Sequence, residues 1–215
     1  MIRVRKSTVP PKSLTTTSAY DGEDVKRQLM EDQYSKCYLC ERSCCTDFQI
    51  EHHKSQEHHP ELRQNWNNLL MGCSYCNGKK SDSFNNTLNP TTSNIEDEIR
   101  QHIDFTNKKV FFDSELHDAS HNETIELLSR IHNGTSPARK IKEERFFEYV
   151  LSVVNGFLSL VREYQNNPTE NAEKAVREEL SIDQEMLGFK YWIIKDNPQL
   201  YSVFAKDIVW NKFPA

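Results

Sequence analysis

Apolar residues recur at helical spacing most strongly between 138 and 165, where Ile141, Phe146, Val150, Val153, Val154, Phe157, Leu160, Val161 and Tyr164 share one broad face. Pro137 sits just ahead of them, as at a helix start. The pattern predicts one long helix there and shorter ones over 170–180, 181–195 and 198–206, the last opened by Pro198. A helix over 122–131 should stop at Asn133-Gly134. Another is predicted over 21–33, with Asp21 as cap and Val25, Leu29 and Met30 on one face. Ile95, Ile99 and Ile103 mark a short helix capped near Ser93 or Asn94. Residues 109–113 read as a strand, and the alternation of Phe48 and Ile50 predicts another. Residues 1–20, with Pro10-Pro11 and a Thr/Ser cluster, read as extended, and the polar stretch 85–94 as a domain boundary or long loop.

A chain of 215 residues suits one or two small domains. No apolar run reaches the roughly 18 residues of a membrane span. The nearest, Phe146 to Val161, is interrupted by Glu148, Asn155 and Gly156. The start MIRVRKSTVPPK is basic but lacks the apolar stretch of a secretory signal. A soluble, cytoplasmic protein with no membrane partner is therefore expected. The net charge of -5 hides an asymmetry: residues 1–84 carry +1 and residues 85–215 carry -6. Bulk charge cannot grip nucleic acid here, so any such activity needs a local basic patch, a metal or a partner. The arm with Arg3, Arg5, Lys6 and Lys12 reads equally as a phosphate or protein contact and as a solvated tail.

Residues 36–84 hold all six cysteines and four of the eight histidines. Cys37-x-x-Cys40 and Cys73-x-x-Cys76 each place two sulfurs on a tight turn, and two such turns close a tetrahedral Zn²⁺ site. A redox pair is the rival for either motif alone, and in a reducing compartment two pairs favour metal. Four sulfurs fill the shell, so this zinc would be structural. Cys44 and Cys45 are then surplus small residues, unless Cys44 exchanges with Cys40 as a ligand. A zinc deaminase is excluded because Gly72 precedes Cys73 and no His-x-Glu half exists. A C2H2 finger is excluded because His52 and His53 are adjacent.

Between the cysteine pairs, a predicted strand delivers Glu51 and His52 at its end. Asn68-Leu69 lies shortly before Cys73, Asn77 follows Cys76 directly, and Lys79 and Lys80 come next. The string Cys37-Tyr38-Leu39-Cys40-Glu41, Ile50-Glu51-His52, Asn68-Leu69 and Cys73-Ser74-Tyr75-Cys76-Asn77-Gly78-Lys79-Lys80 resembles the HNH nucleases with a ββα-metal fold and a CxxC…CxxC zinc clip. It is most similar to their PtuB-like effector nucleases, found with an ABC/SMC-like ATPase (PtuA) in Septu-type and some retron anti-phage operons. The short RKSTVPPKSL segment and residues 94–131 also look similar to that subfamily.

The resemblance implies an α+β, mostly helical fold. Its parts are an extended N-terminal arm (1–20), a zinc-clipped HNH nuclease core (21–84), a linker and small α/β extension (85–137) and a helical C-terminal region (138–215) that docks the partner. It also implies hydrolysis of phosphodiester bonds in DNA, or in an RNA such as tRNA, with the ATPase as partner. In a retron setting a reverse transcriptase and its DNA product would join them. His52 is the expected general base, since an imidazole takes a proton from water near neutral pH. Asn68 would hold the loop that orients it. Glu51 and Asn77 offer hard oxygens at the positions where the family binds its catalytic metal, here Mg²⁺ or Mn²⁺ rather than a histidine-rich transition-metal site, because Asn77 stands where the family name has His. Lys80, or Lys79 in its place, would hold the phosphate.

His53 should face away from His52 on a strand and is the alternative ligand or base. His58 and His59 read as solvated loop histidines, Trp66 as a core or interface aromatic, and Phe84 as packing the ββα core. The aromatics of the tail (Phe146, Phe147, Tyr149, Phe157, Tyr191, Trp192, Trp210) read as core first and as partner surface second. Two other functions compete with the effector nuclease: a non-catalytic zinc-ribbon adaptor, and a stand-alone restriction-like DNA endonuclease. The second lacks an evident DNA-reading domain.

Overall fold

Polar side chains, not apolar periodicity, organise the first regular structure of the chain. Residues Ser13–Thr16 form one helical turn, α1, inside the stretch expected to be extended. The Asp24 carboxylate accepts from the Ser13 N–H and hydroxyl at 2.9 and 2.6 Å, which stabilises that turn. Helix α2, Glu23–Asp32, buries Val25 and Leu29 as its spacing requires, but it starts after Gly22 rather than Asp21 and has no side-chain cap. The computed structural model describes residues 1–16, 19–44 and 46–210.

Strands β1, Phe48–His52, and β2, Leu69–Cys73, pair antiparallel, with Phe48 opposite Cys73 and His52 opposite Leu69. All of β2 is buried, so it lacks the alternation by which a half-buried strand is read. Its outer edge is closed by a side chain: Gln33 accepts from Met71 N–H at 2.7 Å and donates to Met71 C=O at 2.9 Å. Helix α3, Ser74–Lys80, follows directly and packs on the hairpin.

A one-turn helix α4, Ile95–Glu98, then gives way to a second antiparallel hairpin of β3, Arg100–Asp104, and β4, Lys109–Asp113. Ile103, expected on a helix with Ile95 and Ile99, lies on β3, because residues 100–104 find a ladder partner in β4. Helix α5, Ala119–Asn133, begins earlier than its apolar pattern suggests. Asp118 caps it by accepting from the Ser120 and His121 N–H groups. It ends at Gly134, whose φ of 76° suits glycine.

The long helix α6 spans Ile141–Asn166, and α7, Glu170–Glu179, α8, Leu187–Lys195, and α9, Pro198–Phe204, complete the tail. Ile141, expected on the buried face, is 83% exposed at the first turn of α6, and burial along the stripe begins at Phe146. The helix expected over 181–195 starts only at Leu187, after Met186 takes a left-handed conformation with φ of 54°. The start of α8 presses on β3: a Cβ at Gly188 would lie 2.3 Å from the Gln101 amide, so a larger residue there would have to displace the Gln101 side chain.

One core joins α2, β2, the β3–β4 hairpin, α5 and the first half of α6, with Leu29, Leu69, Leu70, Val110, Leu128, Phe147 and Val150 among its members. A second joins the end of α6 to α7–α9 through Phe157, Val161, Val176, Leu187, Tyr191, Ile194 and Phe204. The N-terminal residues are not a solvated tail. Met1, Ile2, Arg3 and Val4 are buried, the Val4 N–H donates to Pro90 C=O at 2.8 Å, and Lys6 donates to the carbonyls of Trp66 and Leu69. Residues 85–94 form a loop packed through Leu88, whose N–H donates to the Thr124 hydroxyl at 2.8 Å. Of the tail aromatics, Phe146, Phe147, Phe157, Tyr191 and Trp210 are core residues, Trp192 is half-buried, and Tyr149 is exposed. Among the described residues no helix is long and apolar enough to cross a membrane.

Candidate metal centre and catalytic site

The two CxxC turns converge. Cys37 and Cys40 lie on the knuckle after α2, Cys73 ends β2 and caps α3, and Cys76 is on the first turn of α3. The hairpin therefore brings the second pair to the first. The four sulfurs lie within 4.8 Å of one another and all four residues are buried. Cys40 and Cys73 Sγ are 3.9 Å apart, far from the roughly 2.05 Å of a disulfide. They lie close to the ~3.8 Å that four ligands at ~2.3 Å from a tetrahedral zinc require. Hydrogen bonds from the other thiols, that of Cys37 first, hold Cys73 below the usual thiol range, whereas burial first of all pushes Cys76 up. Such a set can hold a metal such as zinc. Cys44 is buried beside it with its thiol on Arg42 C=O at 3.4 Å and outside the four-sulfur group, and Cys45 lies outside the described residues.

Glu41, next in the chain, ties this knuckle to Met1 and to the start of α8. Its carboxylate meets the Met1 amine at 2.5 Å and the Gly188 N–H at 3.1 Å.

Alternation along β1 sends Gln49 and Glu51 toward α3 and leaves Phe48, Ile50 and His52 on the other face. On the α3 side, Asn77 donates to the Gln49 side chain at 2.6 Å, and one turn later Lys80 meets the Glu51 carboxylate at 2.7 Å. Lys80 also donates to His52 C=O at 3.0 Å and has no exposed surface. A phosphate clamp is therefore not the place this geometry gives Lys80. Lys79 is engaged as well, in an ion pair with Glu143 that ties α3 to α6. Burial raises the Glu51 pKa and Lys80 opposes that rise.

His52 is buried at the end of β1, with Nε2 2.9 Å from Arg63 C=O and its ring edge-on to Tyr20 at 4.7 Å. A carbonyl only accepts, so Nε2 carries the proton and Nδ1 keeps its lone pair. Burial, then the charges of Lys80 and Arg63, lower the His52 pKa, while the bond to Arg63 opposes them. Asn68 fastens the loop between the strands by accepting from Lys54 N–H at 2.8 Å and donating to the carbonyls of Lys54 and Leu62 at 3.0 and 3.3 Å. His53 is buried against the Thr87 hydroxyl at 3.2 Å, and burial lowers its pKa to about 4.

No protein-family profile matches the chain. It is similar to a Septu protein PtuB of Bacillus thuringiensis. The two are 36% identical over 84 residues, which cover 35% of this chain and 32% of that protein. The chain thus matches about a third of that relative's length.

His59 reaches Glu61 at 3.3 Å in the loop, and His58 is exposed. Trp66 is buried, its indole N–H on Ser7 C=O at 3.0 Å and Lys6 3.4 Å above its ring, and Phe84 is buried beneath Arg130. Three residues around the site escaped sequence reasoning: Tyr20 against His52, Arg63 at its carbonyl, and Gln49 against Asn77. Gln49 could have been found, because alternation puts it on the same face as Glu51. Tyr20 and Arg63 come from loops and carry no periodic signal.

Proposed function

We propose that the chain is an HNH-type endonuclease with a ββα-metal core, the effector of a Septu-type anti-phage complex with an ABC/SMC-like ATPase. The observation that carries this reading is the His52 imidazole, held through Nε2–H by the Arg63 backbone carbonyl with Nδ1 left unprotonated. A neutral imidazole fixed in that tautomer can take a proton from an attacking water, and its lowered pKa keeps it neutral at physiological pH. Asn68 acts through the loop: by holding residues 54 and 62 it fixes the segment whose Arg63 carbonyl orients the ring. Glu51 and Asn77, on the facing strips of β1 and α3, are the oxygen donors that would hold Mg²⁺ or Mn²⁺. Two protein oxygens leave room for water and phosphate, the usual habit of Mg²⁺. Bound there, the ion would supply charge stabilisation at the phosphoryl oxygens. The four cysteines would hold structural Zn²⁺, and the similarity to PtuB supports the ATPase as partner. A retron reverse transcriptase and its DNA product belong to one setting of such systems.

A non-catalytic adaptor is favoured by one observation: the Lys80 ammonium already neutralises Glu51 at 2.7 Å. Incubation of plasmid DNA and total RNA with the full chain, alone and with the ATPase, separates the two readings. The expected result is cleavage that requires Mg²⁺ or Mn²⁺ and falls by a factor of ~10²–10⁴ in His52→Ala. Folded, metal-loaded protein that cuts neither polymer in any combination would establish the adaptor instead.

A further inference from the structure

With Lys80 inside the protein and Lys79 paired to Glu143, neither lysine of α3 is free to hold a phosphate at this site. We propose that Arg63 supplies it: its guanidinium binds the phosphodiester presented to His52. The inference rests on the nuclease reading above.

Arg63 is attached to the site twice. Its carbonyl accepts from His52 Nε2 at 2.9 Å, which fixes its backbone next to the imidazole. Its guanidinium carbon stands 5.3 Å from the centre of the Tyr20 ring, the same ring that meets His52 edge-on at 4.7 Å. Guanidinium, phenol and imidazole are thus joined in one run of contacts from the exposed Arg63 to the buried His52. The side chain is exposed, unlike that of Lys80. Its Nε donates to the Gln56 side chain at 3.1 Å, and among the described residues no carboxylate lies within ion-pairing distance of it. The terminal fork is therefore available, and a planar fork held over an aromatic face suits two phosphate oxygens at once. Lys6 is already engaged with two carbonyls and Lys26 with Glu23, which leaves Lys54, two residues beyond His52, as the rival cation that the test includes.

Because the anchor for His52 is the backbone carbonyl, Arg63→Gln removes the cation and leaves the anchor in place. The test is the affinity of the full chain for three fluorescent probes, a 20-mer DNA duplex, its single strand and an RNA hairpin. Anisotropy is measured across a salt series without added divalent metal. Arg63→Gln should weaken binding of the preferred probe about tenfold near physiological salt and lower the slope of log affinity against log salt by about one. Arg63→Lys should restore the slope but not all of the affinity. Arg145→Gln, which removes an exposed partner of Glu148 on α6, should change neither.

An unchanged affinity and slope in Arg63→Gln overturns the proposal while the nuclease reading stands. So does a full loss in Lys54→Gln with Arg63→Gln unaffected. Weaker binding with an unchanged slope, equal in the Gln and Lys variants, marks a structural role and overturns it too. If the unsubstituted chain binds none of the three probes at low salt, either alone or with the ATPase, the nuclease reading falls and this proposal with it.

Discussion

The hairpin-and-helix unit around β1, β2 and α3 and the helical tail from the end of α6 to α9 bury their side chains by opposite means. In the tail, Phe157, Val161, Val176, Leu180, Leu200 and Phe204 meet each other, and a fully buried cation, Lys190, pairs with Glu179 at 2.7 Å. Around β1 the apolar residues of β2 are joined by a buried polar set, Glu41, Glu51, His52, His53, Asn68 and Lys80, together with the four clustered thiols. Apolar burial is non-directional and yields stability in proportion to area. Buried charges yield little net stability but fix one arrangement, and breaking one partner is costly. The tail therefore holds stability and the hairpin unit holds geometry, which is the division expected if chemistry resides in the hairpin unit.

The largest effect should come from the cysteines. Cys73→Ser removes one of the four sulfurs while its hydroxyl can still cap α3, so the loss isolates the metal, and losing a structural zinc site forfeits on the order of 10 kcal/mol of folding free energy. The expected product is insoluble or unfolded chain with less than one metal ion each, read by elemental analysis and circular dichroism. Phe204→Ala, in the tail, should cost about 3–5 kcal/mol and leave the metal content unchanged. A soluble Cys73→Ser protein that keeps its metal would break the contrast at its strongest point.

The next effect tests whether the buried charges are coupled. Lys80→Met leaves the Glu51 carboxylate buried without its cation and should cost about 3–5 kcal/mol. Adding Glu51→Gln should recover a large part of that loss, because no uncompensated charge then remains. Urea unfolding of the four proteins of this cycle measures the coupling. Additive losses would mean that Glu51 and Lys80 do not act as a pair.

The same division decides what the sequence could reveal. Helices α6, α7 and α9 were legible because each turns an apolar stripe inward, whereas α8 is buried on most of its faces and its start at Leu187 was not. Strand β4 was legible because Val110 and Phe112 alternate with exposed neighbours. The convergence of the four cysteines was legible from two identical spacings. Strand β2 was not, because both of its faces are buried and no alternation survives. The residue types at the end of β1 were readable as chemistry, but not the cation each would meet. Nothing in the string Asn77-Gly78-Lys79-Lys80 says that the second lysine turns inward to Glu51 while the first reaches across to Glu143 on α6. Arg63 was invisible for the same reason: its place beside His52 depends on how Asn68 folds the loop.

Acid should separate the two regions more gently. His132, on α5, is buried among Phe112, Phe146 and Phe189, with Nδ1 on Leu128 C=O at 2.9 Å. Burial holds its pKa down at about 3. The unfolded chain takes up this proton below about pH 6.5 and the folded chain does not. Stability therefore falls as pH drops from about 6.5 toward 3, by about 1.4 kcal/mol per unit for this one group. Urea unfolding at pH 8, 6 and 5 should show this slope reduced by about one proton in His132→Phe. An identical slope in that variant would remove His132 from the account.

The smallest effect belongs to the tail and sharpens the comparison from its stable side. Asn197 caps α9 by accepting from the Gln199 and Leu200 N–H groups at 3.0 and 3.2 Å. Asn197→Ala should cost about 1 kcal/mol, and Asn197→Asp should restore nearly all of it, since aspartate caps equally well and its charge suits a helix N-terminus. Neither change alters a buried charge, so the cost should be the same at pH 8 and pH 5. Hydrogen exchange should locate it: amides of α9 exchange faster, while those of β2, closed by Gln33 and the cysteine knuckle, keep their protection. If β2 loosened together with α9, the two cores would unfold as one unit. The tail would then support the site directly, and its caps would matter to the geometry of the hairpin unit as much as the hairpin's own polar pairs.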